Sequence, residues 1–121
     1  MLPKNQYLIG TMNTADRSVG HIDYAIRRRF AFIDILPDSS VIKFEKAFNL
    51  FNETKKLFSS EYLSPDFKEK EVMIGHSYFL VDNEDDLKIK LEFEIKPILR
   101  EYLKDGVFLE NANELIESLN V

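Results

Sequence analysis

The spacing of apolar residues changes character partway along this chain. Tyr7-Leu8-Ile9-Gly10-Thr11-Met12 is a short run of branched and aromatic side chains that predicts a buried strand, closed by the polar group Asn13-Thr14-Ala15-Asp16. Asp16 or Ser18 can accept from the free N–H groups of a following helix, whose apolar positions Val19, Ile22, Ala25 and Ile26 recur at three- and four-residue steps. Phe30 to Leu36 alternates Phe30, Phe32 and Asp34 with Ala31, Ile33 and Ile35 and stops at Pro37, which predicts a second strand. The order expected for residues 1–37 is strand, helix, strand.

After Pro37 the period becomes helical. Val41, Phe44, Phe48, Phe51 and Phe58, with Ala47 and Leu57 beside them, fall on one stripe that predicts a helix of about five turns, with Asp38-Ser39-Ser40 as cap candidates. Leu87, Leu91, Ile95, Ile98 and Tyr102 form a second stripe ended by Asp105-Gly106, and Leu109, Ala112, Leu115, Ile116 and Leu119 a third. Pro97 must start or kink the second helix, because its ring clashes with the carbonyl four residues back. The apolar run Val72 to Leu80 is broken by Gly75 and reads as a turn leading into a short helix. The expected fold is mostly α, with two short strands ahead of a helical segment at 38–121.

Composition narrows the function. The 121 residues are 45% hydrophobic and 31% charged with a net charge of −5, as suits one ordinary globular domain. The absence of cysteine excludes disulfides and thiolate metal sites. The apolar runs are far shorter than the roughly 20 residues a bilayer requires, so no membrane span is expected. The residues after Met1 lack the layout of a secretory signal, which makes the cytoplasm the expected location. Charge is divided unevenly. Residues 1–36 hold Lys4, Arg17, Arg27, Arg28 and Arg29 against Asp16, Asp23 and Asp34, a surplus of +2 that leaves −7 on the remainder. Every arginine except Arg100 lies in that first part.

Several catalytic patterns are missing or broken. None of the four glycines, Gly10, Gly20, Gly75 and Gly106, sits in a phosphate-cradling loop. Phe30-Ala31-Phe32-Ile33-Asp34 imitates a strand ending in a magnesium-binding Asp, but Ile35 stands where a catalytic Glu would follow. His21 and His76 have no carboxylate at ligand spacing and read as packed or capping histidines. Asp82, Glu84 and Asp86 alternate as in a calcium loop, yet Leu87 and Phe93 occupy the places of its Gly and Glu, so a solvated helix start explains them better.

Two features exceed what a plain helical domain needs. In Gly10 to Ser18 an amide, an acid and a guanidinium gather at the carboxyl end of a strand, where open α/β sheets place their ligands. Simple helix capping by Asn13 and Asp16 is the competing explanation. Arg27-Arg28-Arg29 closes a helix just before a strand. One arginine would complement the helix dipole; three adjacent ones at about 100° per residue must address different partners. A nucleic-acid patch would add lysines and accessible aromatics, and the rest of the chain is acidic.

Tyr7 to Ser18 with its MNTADRS segment, Asp23-Tyr24-Ala25-Ile26-Arg27-Arg28-Arg29-Phe30, and Ile74-Gly75-His76-Ser77-Tyr78-Phe79 together resemble the C-terminal part of McrB-type AAA+ GTPases, the motor subunits of 5-methylcytosine-specific restriction systems. The resemblance implies that residues 1–37 are the end of an α/β core and 38–121 a helical lid. It implies that Asn13 is the sensor-1 group near the γ-phosphate, with Asp16 and Arg17 extending its network. Arg28 and Arg29 become arginine fingers reaching a neighbouring subunit's nucleotide in a ring, typically a hexamer. His76 and Ser77 fall where many such lids begin their sensor-2 helix with an arginine. The cofactor implied is GTP with Mg²⁺. The implied partners are further AAA+ subunits, an McrC-like endonuclease, and DNA through a separate domain. The phosphate loop, the magnesium Asp-Glu pair and the DNA-reading domain are not among residues 1–121, so the chain is expected neither to bind GTP tightly nor to hydrolyse it alone. Its two strands, lacking the phosphate-loop strand between them, are expected to pair with another copy or to pack irregularly on the lid. A non-catalytic helical interaction module derived from such a lid is the alternative.

Overall fold

The computed structural model describes residues 3–11 and 28–121. The chain divides into two compact units, Met1–Phe32 and Ile33–Val121. The described residues are mostly helical and contain no sheet.

In the first unit, residues 6–11 have no regular secondary structure and are exposed; Ile9 is 95% accessible. Arg28 and Arg29 are helical, and a bend follows at Phe30. In the second unit, residues 33–36 carry no secondary structure, and Ile35 is 86% accessible. The strands expected over Tyr7–Met12 and Phe30–Leu36 are therefore not formed in the described residues. A strand holds its shape through ladder hydrogen bonds to a neighbour, and among the described residues no ladder partner is present for either segment.

The second unit has one hydrophobic core, built from 19 buried apolar residues between Ile42 and Leu119. Asp38 caps a 3₁₀ turn, Ser39–Val41, by accepting from the Ser40 N–H at 2.9 Å. Ile42 is then extended and buried, and only after Phe44 does helix α1 begin, Glu45–Lys55, tightening into a 3₁₀ turn at Lys56–Phe58. The five-turn helix expected from residue 38 is thus cut short at its start. The β-branched pair Val41-Ile42 suits extended backbone better than a helix. The buried face is displaced with it: Ala47, Leu50, Phe51 and Thr54 face inward, whereas Val41 and Phe48 are exposed. Thr54 satisfies its buried hydroxyl by donating to the Leu50 carbonyl at 2.8 Å.

A loop leads to the single-turn α2, Glu69–Val72, and to a 3₁₀ turn at His76–Phe79 capped by Gly75. Phe79 is fully buried, its ring edge-to-face on Phe51 at 5.1 Å. Helix α3, Glu84–Lys90, opens on Asn83, whose Oδ1 accepts from the Asp86 N–H at 2.8 Å while its Nδ2 donates to the Asp86 carboxylate at 2.9 Å. Glu84, Asp85 and Asp86 occupy the first turn, where the helix dipole favours negative charge.

Between α3 and α4, Lys96–Lys104, the helix widens into a π turn at Leu91–Ile95, in which the Lys96 N–H donates to the Leu91 carbonyl. Two sequence features account for it. Leu87, Leu91, Ile95 and Leu99 are buried at strict four-residue steps, which outrun an α-helix by about 40° each. A wider turn cancels part of that drift. It also makes room for Pro97, which offers no N–H to the Phe93 carbonyl four residues earlier. As a result Leu99 is fully buried and Ile98 only half-buried, one position on from the stripe expected from periodicity.

Helix α4 ends where Asp105-Gly106 signals it. Gly106 adopts φ +80°, its N–H donates to Leu103, and the Val107 N–H returns to Tyr102 at 2.9 Å, the two bonds of a Schellman cap. Residues 62–64 and 107–109 are clasped by an antiparallel bridge, with Ser64 N–H donating to Val107 and Leu109 N–H to Tyr62. Phe58, Tyr102 and Phe108 meet edge-to-face beneath it. Helix α5, Ala112–Ser118, closes the unit and is tied to α4 by a two-pronged Arg100–Glu117 pair at 2.9 and 3.1 Å.

Candidate functional site

Asn13, Asp16 and Arg17 lie outside the described residues. Of the finger candidates, Arg28 and Arg29 are consecutive, exposed residues of a helical turn, so their side chains leave the axis about 100° apart. They belong to the first unit, whereas His76 and Ser77 belong to the second.

What the described residues do bring together is His76 and the turn at 38–40. The Asp38 backbone N–H donates to His76 Nδ1 at 3.0 Å. Asp38 Oδ1 accepts from both the N–H and the hydroxyl of Ser40, at 2.9 and 2.7 Å, and Lys43 Nζ donates to the Ser40 carbonyl at 3.0 Å. The Ser40 hydroxyl and N–H, aided by the charge of Lys43, hold the Asp38 carboxyl below its ordinary range. His76 is half-buried and Ser77 exposed, both carried on a turn that Phe79 anchors in the core. An imidazole that accepts at Nδ1 keeps its proton on Nε2, so Nε2–H is the donor left for a ligand.

The arginine of the helical unit is otherwise engaged. Arg100 is gripped by Glu117, which raises the guanidinium further and lowers the Glu117 carboxyl. Lys96 is 8% accessible and reaches Glu92 at 2.9 Å, one turn back. Two open grooves, of about 420 and 320 Å³, lie over the C-terminal residues 117–121 and over α1 with Asn120 and Val121; neither is lined by His76 or Ser77. Asp38 was legible in the sequence as a capping residue. Its main-chain bond to His76 spans 38 positions and is not a property of side-chain pattern at all.

Residues 61–107 match the family model "McrB, alpha-helical lid domain". That span runs from the loop before the Leu63–Phe108 bridge, through the His76 turn and the π turn, to the Schellman cap. The chain is also 38% identical, over 95% of its length, to the type IV methyl-directed restriction enzyme EcoKMcrB subunit of Escherichia coli strain K12. It spans 29% of that relative's length. No solved structure matches it. No helix among the described residues is long and apolar enough to cross a membrane. Residues 61–107 thus carry the McrB-type α-helical lid, and the chain is similar to a McrB restriction subunit along nearly its whole length.

Proposed function

We propose that this chain is the sensor, finger and lid portion of a GTP-dependent AAA+ motor in a modified-cytosine DNA restriction system. The observation that supports this most is the extent of the likeness to a restriction subunit: at 95% of the chain it takes in the MNTADRS and triple-arginine segment as well as the lid. In this reading residues 1–37 complete an α/β core and 38–121 cover the nucleotide. Asn13, extended by Asp16 and Arg17, orients the water that attacks the γ-phosphate. Arg28 and Arg29 stabilise the charge that develops on the phosphoryl group bound by a neighbour in a ring, and exposed, adjacent guanidinium groups suit that task. Ser77 and the Nε2–H of His76 offer hydrogen bonds from the lid. GTP with Mg²⁺ is held chiefly by a phosphate loop and an acidic pair that this sequence lacks. An McrC-like endonuclease and a DNA-reading domain complete the assembly.

The exposed apolar segments fit such an assembly. Tyr7, Leu8, Ile9, Ile33 and Ile35 are large apolar residues open to solvent, as strands awaiting a central strand would be. The test is to mix the chain with a McrB-type chain bearing the phosphate loop and to follow GTP turnover. The chain should accelerate it, and Arg28→Ala or Arg29→Ala should remove about 10³-fold or more of that acceleration. Unchanged turnover in both variants removes the finger assignment.

A second reading rests on the self-contained core of residues 42–119. In it the lid serves as a binding module without a part in catalysis. Binding of the phosphate-loop chain with no change in its turnover would favour this reading over the first.

A further inference from the structure

The contact between His76 and Asp38 has a chemical requirement that neither residue type carries alone. For Nδ1 to accept the Asp38 N–H at 3.0 Å, it must be without its proton. We propose that His76 is a proton-sensitive latch, tied to the Asp38 main chain while its imidazole is neutral and exchanging that bond for the Asp38 carboxylate when the ring is protonated. This inference is independent of the nucleotide reading.

Both halves of the latch are held from behind. On one side the Asp38 carboxylate is occupied by the Ser40 N–H and hydroxyl, which orients the backbone so that its N–H is free to donate outward. On the other, the His76 turn is pinned by Phe79 against Phe51. Protonation at Nδ1 would set donor against donor and cost the bond. The imidazolium so formed would stand near the Asp38 carboxylate, the acceptor that suits it, and the ring would trade a main-chain donor for a side-chain acceptor.

The other charged groups around the latch are accounted for. Lys43, on the Asp38 side, is directed to the Ser40 carbonyl. The 76–79 turn packs on α1 and α3, whose Lys46 and Glu84 pair with each other at 2.7 Å, with Lys88 next to Glu84 at 3.4 Å. Lys70 lies 3.9 Å from Asp34. The turn's own elements add the phenol of Tyr78. Asp38 is thus the carboxylate positioned to receive the proton-bearing ring.

The experiment is nitrogen-15 NMR on the whole 121-residue chain between pH 8 and pH 5, the span in which imidazoles as a class change charge. At pH 8 the His76 Nδ1 resonance should be that of an unprotonated ring nitrogen, and the Asp38 amide should follow the ring's titration with the same midpoint. His76→Ala should abolish that response and quicken Asp38 amide exchange, relative to its intrinsic rate, by about fivefold, as losing one ordinary hydrogen bond would. A proton on Nδ1 at pH 8, or an Asp38 amide indifferent to the ring, overturns the latch using the unaltered chain alone.

Discussion

The described residues ahead of Pro37 and the helical unit that follows bury very different shares of their apolar side chains. Ile33 and Ile35 are as hydrophobic as Ile95 and Ile116, yet the first two are open to solvent and the last two have no accessible surface. The difference lies in what each secondary structure needs. A helix closes its own hydrogen bonds and asks only for a neighbour to cover one face, which the three amphipathic segments provide for one another. A strand needs a partner for its backbone as well as for its side chains. The same degree of apolar patterning therefore yields a core in one region and an exposed segment in the other.

Stability measurements can break that comparison. Leu99→Ala or Phe51→Ala, each removing a buried side chain, should cost about 3–5 kcal/mol by urea denaturation, against less than about 0.5 kcal/mol for Ile35→Ala. Equal losses at Leu99 and Ile35 would show that the two regions share one core. A smaller contrast lies inside the helical unit. Lys96→Met should be neutral or stabilising, because it removes a buried ammonium and keeps its packing, whereas Glu92→Ala strands that ammonium and should cost about 1 kcal/mol, the partner being half-exposed. Removing residues 1–32 should leave a cooperative unfolding transition, shifted by less than about 1 kcal/mol, or roughly 4–8 °C for a unit of this size; loss of cooperativity would deny the helical unit its independence.

The smallest expected effect is on acid stability. The carboxyls of Asp38, Glu84 and Glu117 are all depressed by their partners, Ser40, Lys46 and Arg100 respectively. Each therefore contributes stability above its ordinary value, 3.8 for Asp38 and 4.5 for the two glutamates, and loses it as pH falls through the lower folded-state value. The urea midpoint should fall between pH 5 and pH 3, and Glu84→Gln with Glu117→Gln should flatten that fall. All three side chains are exposed, so the change is slight.

What could be read from the sequence follows the same division. The stop at Asp105-Gly106, the acidic start of α3 and the short turn after Gly75 were legible because each depends on a few neighbouring residues. The start of the first long helix was not, since Val41-Ile42 looks periodic while its branching favours extended backbone. The expected strands are not formed in the described residues for a different reason: local pattern announces a strand but cannot supply its partner. At the candidate site the side-chain chemistry of His76 was visible, but its bond to the Asp38 main chain depends on how the two turns pack.

The π turn at 91–95 carries a lesson for comparing related lids. It works as a one-residue insertion that resets the phase of everything after it, so a helical wheel drawn continuously from Glu84 to Lys104 mislabels which side chains point inward from Lys96 onward. Deleting a single residue there would turn the downstream half by about 100° and carry Leu99 out of the core together with the Arg100 fork. Sequences of this kind should be aligned as two rods joined at a coupling rather than as one long rod.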